Sequence, residues 1–252
     1  MVFFEKIGSR HSFERWTGFK TSRRDFKVRS QLLELAIQQA QCNGLAIDLG
    51  CGDGIWIKTL TKFFDQVIGI DRSHSFINQA QNEFKHLENV NFHCDDILEE
   101  SFFVNNNIDR KADFIFCNHV LEYVKDEAAF WSYIQKISQT GTILCIVTKN
   151  GYPNIWRVLK LATFMLARDS CPQQKWRKLD KALPQFLMLK ECFFLDVRLP
   201  VHLSDINDSF TKKEGVWDNI GAAVSMKLPL RSKSFNLLKH FAWHIAVIAV
   251  VK

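Results

Sequence analysis

The chain has no run of about 18 apolar residues, the length a membrane-spanning helix needs. Its C-terminal run, residues 241–251, is too short, contains His244 and reads as a buried strand. Seven cysteines are present (Cys42, Cys51, Cys94, Cys117, Cys145, Cys171 and Cys192), and no two stand at CxxC spacing. That spacing excludes the usual structural zinc site, and no metal is expected. Several of these cysteines sit inside apolar runs, where a thiol behaves as a small hydrophobe. With an odd cysteine count and no signal peptide, the expectation is a reducing, cytoplasmic setting. Internal repeats and low-complexity tracts are absent, which excludes solenoids and disordered arrays. No charged tail and no RNA-binding module is visible, and the densest basic clusters are residues 20–29 and 175–181.

What is present suits one α/β domain over residues 1–252. Hydrophobic residues make up 47% and charged residues 24% of the chain, enough for a sizeable core. The net charge of +6 fits an anionic substrate, an RNA or a membrane surface, and equally an ordinary globular protein.

Residues 1–28 are polar and basic, punctuated by Phe13, Trp16, Phe19 and Phe26, and read as an N-terminal cap. Helical spacing of Leu32, Leu33, Leu35, Ala36 and Ile37 predicts a helix over 28–41. Strands are predicted at 45–49, 66–70, 90–94, 113–117, 142–147, 193–201 and 242–251, with helices at 59–64, 75–84 and 122–137 between them. Such alternation predicts a mostly parallel sheet covered on both faces. Residues 151–190 break the rhythm. There Ile155, Leu159, Ala162 and Leu166 line one helical face, and the segment reads as a lid inserted after the fifth strand.

The central signal is Asp48-Leu49-Gly50-Cys51-Gly52-Asp53-Gly54, directly after a strand and before a helix. Glycines let the backbone turn tightly and approach a ligand, and a helix N-terminus offers free N–H groups. The dinucleotide fingerprint GxGxxG does not fit, because position 55 is Ile. The next strand ends at Asp71, 21 residues after Gly50, where a carboxylate can accept both hydroxyls of a ribose. Strand three ends at Asp95-Asp96, where a carboxylate can accept an adenine amino group; a nicotinamide enzyme has no general need of one there. Each acid has a plainer reading: Asp71 as a helix-terminal charge, though Ser73 is the better cap, and Asp95 or Asp96 as the start of a loop.

Taken in order, that glycine turn, Gly69-Ile70-Asp71-Arg72-Ser73, Phe92-His93-Cys94-Asp95-Asp96 and Cys117-Asn118-His119-Val120-Leu121-Glu122 resemble the class I methyltransferases. The resemblance covers about residues 28–150 and, loosely, the last strand. It implies a Rossmann-like, doubly wound, seven-stranded, mostly parallel sheet with an antiparallel last strand. It also implies S-adenosyl-L-methionine as cofactor, bound by Arg29, Asp48, Gly50, Cys51, Gly52, Gly54, Asp71, Arg72, Asp95, Asp96 and Asn118. Gly50 to Gly54 would cradle the methionyl part, Asp71 hold the ribose, and Asp96 reach the adenine, with Asn118 beside the cofactor. Asp95 departs from the family, which often has glycine there, so which of the pair reaches the adenine stays open. Arg29 lies 21 residues before Gly50; in the similar ubiquinone-pathway O-methyltransferases an arginine in this helix meets the cofactor carboxylate. Its alternative is a solvated basic face with Arg23, Arg24 and Lys27.

Methyl transfer from a sulfonium is an in-line displacement in which positioning supplies much of the rate. His119, after strand four, is the candidate catalytic base; the alternative is a structural or cofactor-packing histidine. Glu122, three residues on, shares a helical face with it and reads as a brace. Trp156, Phe164 and Met165 of the lid would contact an apolar small-molecule acceptor, or pack against the domain or a second subunit. Arg157, Lys160 and Arg168 beside apolar residues offer a weak membrane-surface contact. The expected reaction is methylation of an O or N of a small molecule. Its alternative is a tRNA substrate, because Cys117 to Tyr123, Asn150-Gly151 and the long segment 205–238 are similar to the tRNA carboxymethoxyuridine methyltransferase. A non-enzymatic cofactor-binding protein is the third reading, and the intact turn and acids argue against it.

Overall fold

The computed structural model of the chain describes residues 20–96, 111–152, 177–197 and 242–252, and the structural statements below refer to these. Within them the apolar runs become seven strands: β1 (Leu45–Leu49), β2 (Gln66–Asp71), β3 (Val90–Cys94), β4 (Ala112–Asn118), β5 (Ser138–Lys149), β6 (Leu187–Val197) and β7 (Ala242–Val251). They form one sheet in the order β3-β2-β1-β4-β5-β7-β6. β1 to β5 run parallel. β7 enters between β5 and β6 and is antiparallel to both. The helices are α1 (Lys20–Ile37), α2 (Ile57–Leu60), α3 (His74–Phe84) and α4 (Glu127–Ile137), with single 3-10 turns at Leu121–Tyr123 and Leu179–Lys181. This is the doubly wound, mostly parallel sheet expected from the alternation of strands and helices.

Every residue of β1 is buried, because both faces of the sheet are covered. On one face Leu32, Leu33, Ala36 and Ile37 of α1 pack with Trp56, Ile57 and Leu60 against Ala46, Phe114, Phe116 and Cys145. On the other, Phe130, Tyr133, Ile134 and Ile137 of α4 cover Ile47, Ile115, Cys117 and Ile146. The chain leaves β1 towards β2 and β3, then returns to place β4 on the opposite side of β1. Connections therefore diverge at the carboxyl ends of β1 and β4, the place where ligands bind in open α/β sheets.

Several boundaries differ from expectation. α1 starts at Lys20, so residues 20–27 of the expected cap are helical. α2 is a single turn rather than a helix over 59–64. Lys62 N–H donates to Thr59 O and Phe63 N–H to Leu60 O, a tightening that delivers the chain to β2. The helix expected over 122–137 divides, because the Asp126 side chain caps a new start by accepting from Ala129 N–H at 3.0 Å. β5 is longer than expected at both ends. β6 starts at Leu187 rather than at 193 and takes over the last residues of the expected lid. Residues 1–19, the lid residues 153–176 with Trp156, Arg157, Lys160, Phe164, Met165 and Arg168, and the segment 205–238 lie outside the described residues, as does Cys171. Among the described residues no helix is long and apolar enough to cross a membrane, and no cluster of three metal-ligating side chains occurs.

Candidate active site

The glycine turn is held open by backbone strain that only glycine tolerates at low cost. Gly50, Gly52 and Gly54 all have positive φ, at 71°, 57° and 85°. Gly50 N–H and Cys51 N–H both donate to Ile70 O, at 2.7 and 3.0 Å, which ties the turn to β2. A Cβ on Gly50 would lie 2.0 Å from Val120 Cγ2, so the turn after β1 and the turn after β4 touch. Around Gly52 the situation is reversed: an added Cβ would meet nothing within 4 Å. Gly52 thus faces open space. The free donors expected of a helix N-terminus are partly absorbed, since Ile57 N–H bonds to Gly54 O within the short α2 turn.

Asp48 sits inside this turn, 1% exposed. Neither carboxylate oxygen has a hydrogen-bond partner among the described residues. Burial first, and the neighbouring Asp71 second, push its pKa up to about 8. A buried acceptor left unmatched is costly, and a cationic group would satisfy it. Asp71 follows from β2. Its Oδ2 accepts Gly52 N–H at 3.0 Å and its Oδ1 accepts Ser73 N–H at 2.9 Å. Burial raises the Asp71 pKa, and these two donors pull against that rise. Ser73, not Asp71, caps α3, accepting from Phe76 N–H. Asp71 therefore braces the turn, and each of its oxygens keeps a second lone pair for a ligand hydroxyl. Arg72 is exposed beside it, and Cys51 is buried under the turn. Asp95 and Asp96 leave β3 half-buried, with Asp95 N–H bonded to Asp71 O at 3.0 Å, so the ends of β2 and β3 converge.

From β4 come Asn118, whose buried Oδ1 has no partner among the described residues, and His119. His119 has φ 61°, the only positive φ of a non-glycine described residue. Such strain persists where surroundings over-determine it. Its N–H bonds Val147 O at 2.9 Å, its Nδ1 meets Glu122 Oε1 at 2.7 Å and its Nε2 lies 3.4 Å from Arg29 Nη2. Glu122 is 1% exposed. Burial works against its charge, but hydrogen bonds from His119 and from Thr148, the latter at 2.9 Å, outweigh it and lower the pKa to about 2. Arg29 is buried rather than part of a solvated basic face, and its Nη2 also lies 3.2 Å from Nδ1 of His244.

A family model described as a methyltransferase domain matches residues 33–214. The chain belongs to the methyltransferase domain family. This methyltransferase domain is 29% identical over 150 residues to a ubiquinone biosynthesis O-methyltransferase of Pasteurella multocida (strain Pm70), covering 54% of this chain and 61% of that one. It is 33% identical over 81 residues to a ubiquinone biosynthesis O-methyltransferase of Coxiella burnetii, 32% of each chain. The chain spans about half the length of the curated relatives it matches. Its fold is similar to that of magnesium protoporphyrin IX methyltransferase from Synechocystis PCC 6803 with bound SAH, with a TM-score of 0.57 at 14% identity over 98% of this chain and 97% of that one.

In the methyltransferase domain, Asp48, the three glycines, Asp71, Asp95 and Asn118 come from the converging ends of β1 to β4. Arg29 joins His119 from α1. Two residues escape sequence reasoning as parts of the site. His244 is hidden in the apolar run that forms β7, where a lone imidazole is the available signal. Arg177 stands in a basic stretch and carries no distinguishing signal. Its guanidinium nevertheless donates to Leu121 O at 2.7 Å, Val124 O at 3.4 Å and Glu127 Oε1 at 2.8 Å, and Gly151 N–H bonds to its carbonyl at 2.7 Å. Asn150 is structural, its Nδ2 donating to Ala242 O at 2.9 Å where β7 begins.

Proposed function

We propose that the chain is an S-adenosylmethionine-dependent methyltransferase acting on a hydroxyl or amine of a small molecule. The observation that carries this reading is the buried, unmatched Asp48 carboxylate beside a glycine turn whose central Gly52 faces open space. A ligand with a cationic amino acid end fits both: the carboxylate supplies the missing charge partner and the bare Gly52 leaves room for the ligand. Asp71 keeps lone pairs for ribose hydroxyls, and Asp95 or Asp96 takes the adenine amino group. Arg29 meets the methionyl carboxylate, and Asn118 lines the cofactor. Arg72 and Cys51 flank and support the turn.

When bound, the cofactor supplies a methyl group on a sulfonium; the methyl passes to the acceptor O or N and leaves a neutral thioether. The acceptor's proton must go to a base. His119 is placed for this at the carboxyl end of β4, with Glu122 orienting it through Nδ1. To act, its Nε2 gives up the long contact with Arg29. The lid at 151–190 shapes the acceptor pocket, and Arg177 fastens its last part to the turn that carries Glu122. The ubiquinone-type relatives support a small-molecule acceptor.

The test has two parts. Calorimetric titration with S-adenosylhomocysteine should show saturable binding. Comparison of metabolites and tRNA nucleosides in cells with and without the gene should show loss of a metabolite methyl. Loss of a tRNA mark with unchanged metabolites would replace the small-molecule reading by the tRNA one, and no binding would overturn the cofactor assignment.

A further inference from the structure

We propose that His244 is a positioning residue for Arg29, holding the guanidinium where the methionyl carboxylate of the cofactor binds. This rests on the reading above, in which Arg29 meets that carboxylate. Three elements far apart in the chain bring the group together: α1 carries Arg29, the end of β4 carries His119 and the start of β7 carries His244. A guanidinium only donates, so each ring nitrogen facing it must carry a lone pair. Nη2 has two hydrogens and, among the described residues, faces two such nitrogens, His119 Nε2 at 3.4 Å and His244 Nδ1 at 3.2 Å. The assignment fixes both tautomers. His119 bears its proton on Nδ1, which donates to Glu122, and His244 bears its proton on Nε2.

The two imidazoles are themselves held. Glu122 anchors His119 from behind. His244 is set by strand register, opposite Lys149 of β5 and Leu195 of β6. The rings meet edge to face, centroids 4.6 Å apart at 85°. Neutral acceptors orient a guanidinium without competing with an anion for its charge. An arginine ordered in advance does not lose rotamer entropy when the ligand arrives, and affinity rises by that amount. The cluster adjoins the cradle, because Val120, next in the chain to His119, is the residue that Gly50 abuts.

The experiment compares two ligands on His244→Leu. S-adenosylhomocysteine carries the carboxylate; 5′-methylthioadenosine has the adenosine and the thioether and lacks it. The variant is expected to bind S-adenosylhomocysteine about tenfold more weakly, as for one lost hydrogen bond to a charged group, and 5′-methylthioadenosine as before. His244→Asn, whose Oδ1 lies near the lost Nδ1, restores most of the loss. In an Arg29→Lys background His244→Leu adds little, as a double-mutant cycle requires. Equal weakening of both ligands, or of neither, overturns the proposal. Should His244→Leu not fold, His244→Gln, which displaces the acceptor, is judged by the same ratio. If the unaltered chain binds neither compound, the cofactor reading itself fails and takes this inference with it.

Discussion

Asp48 keeps a carboxylate away from water with no hydrogen-bond partner among the described residues, and this has a measurable consequence. With its pKa pushed up to about 8, Asp48 is mostly protonated at pH 7 in the unliganded chain. A cation bound beside it favours the charged form and lowers that pKa, so binding releases a proton. Affinity for S-adenosylmethionine is accordingly expected to rise with pH up to about 8. Titrations at pH 7 in two buffers of different ionisation enthalpy should give different apparent heats, and Asp48→Asn should make them equal. Equal heats for the unaltered chain would mean that Asp48 does not face the cation. At Gly52 two effects separate fold from function. Valine there takes on a left-handed backbone, costing roughly 1–2 kcal/mol, but its Cβ meets no protein atom within 4 Å. Gly52→Val is expected to stay folded and lose S-adenosylhomocysteine binding; normal binding would show that the turn faces elsewhere. Asp71→Ala removes the Gly52 and Ser73 braces together with the proposed ribose contact, and should weaken binding by roughly 1.5–3 kcal/mol. Unchanged affinity in a folded variant would sink the ribose assignment.

Among the elements, Arg177 does the work of a rivet. It bonds two carbonyls of the turn after β4 and the Glu127 carboxylate, while its own backbone pairs with Gly151. Arg177→Met takes a donor from both carbonyls, leaving Leu121 O with Val124 N–H alone among the described residues, and removes a partner of Glu127, so a loss of roughly 1–3 kcal/mol is expected in urea unfolding. Faster proteolysis between residues 153 and 176 should accompany it. Unchanged stability would show that the staple carries no load. The same comparison explains what was legible in sequence. β1, β3 and β7 are read to the residue, β1 because its apolar run is closed by Gly44 and Gly50. β6 is misread at its start because it is an edge strand: Met188 and Leu189 are exposed, and Lys190 and Glu191 interrupt the pattern. α1 begins unseen because residues 20–25 offer no apolar face to read. The acids and glycines of the site are legible, since backbone turns and charges leave local signatures. The Arg29–His119–His244 contact is not, because it is made by register and packing between segments 90 and 215 residues from Arg29, with no local trace.

For the whole molecule, two buried acids set opposite slopes of stability with pH. Glu122 has its pKa lowered to about 2 in the fold, so its contribution is complete above the ordinary 4.5 and is lost as pH falls towards 2. Asp48 has its pKa raised from 3.8 to about 8, so its contribution is complete below 3.8 and is lost as pH rises through 8. Urea unfolding at pH 5 and pH 7.5 should therefore show lower stability at the higher pH, a difference that Asp48→Asn reduces. Glu122→Gln should instead flatten the decline below pH 4.5. The reverse pattern would mean that these carboxylates are misassigned.

The position of β7 also governs when the molecule becomes competent. β5 and β6 are made first, yet neither neighbours the other: a gap one strand wide stays between them until residues 242–251 arrive. On the ribosome, a nascent chain that has already formed its glycine turn and its acidic residues still presents two open sheet edges, an invitation to pair with the wrong strand. His244 sits on the strand that closes that gap, so the Arg29 cluster is completed by the same event. A chain without residues 242–251 lacks one of the two imidazoles that face Arg29.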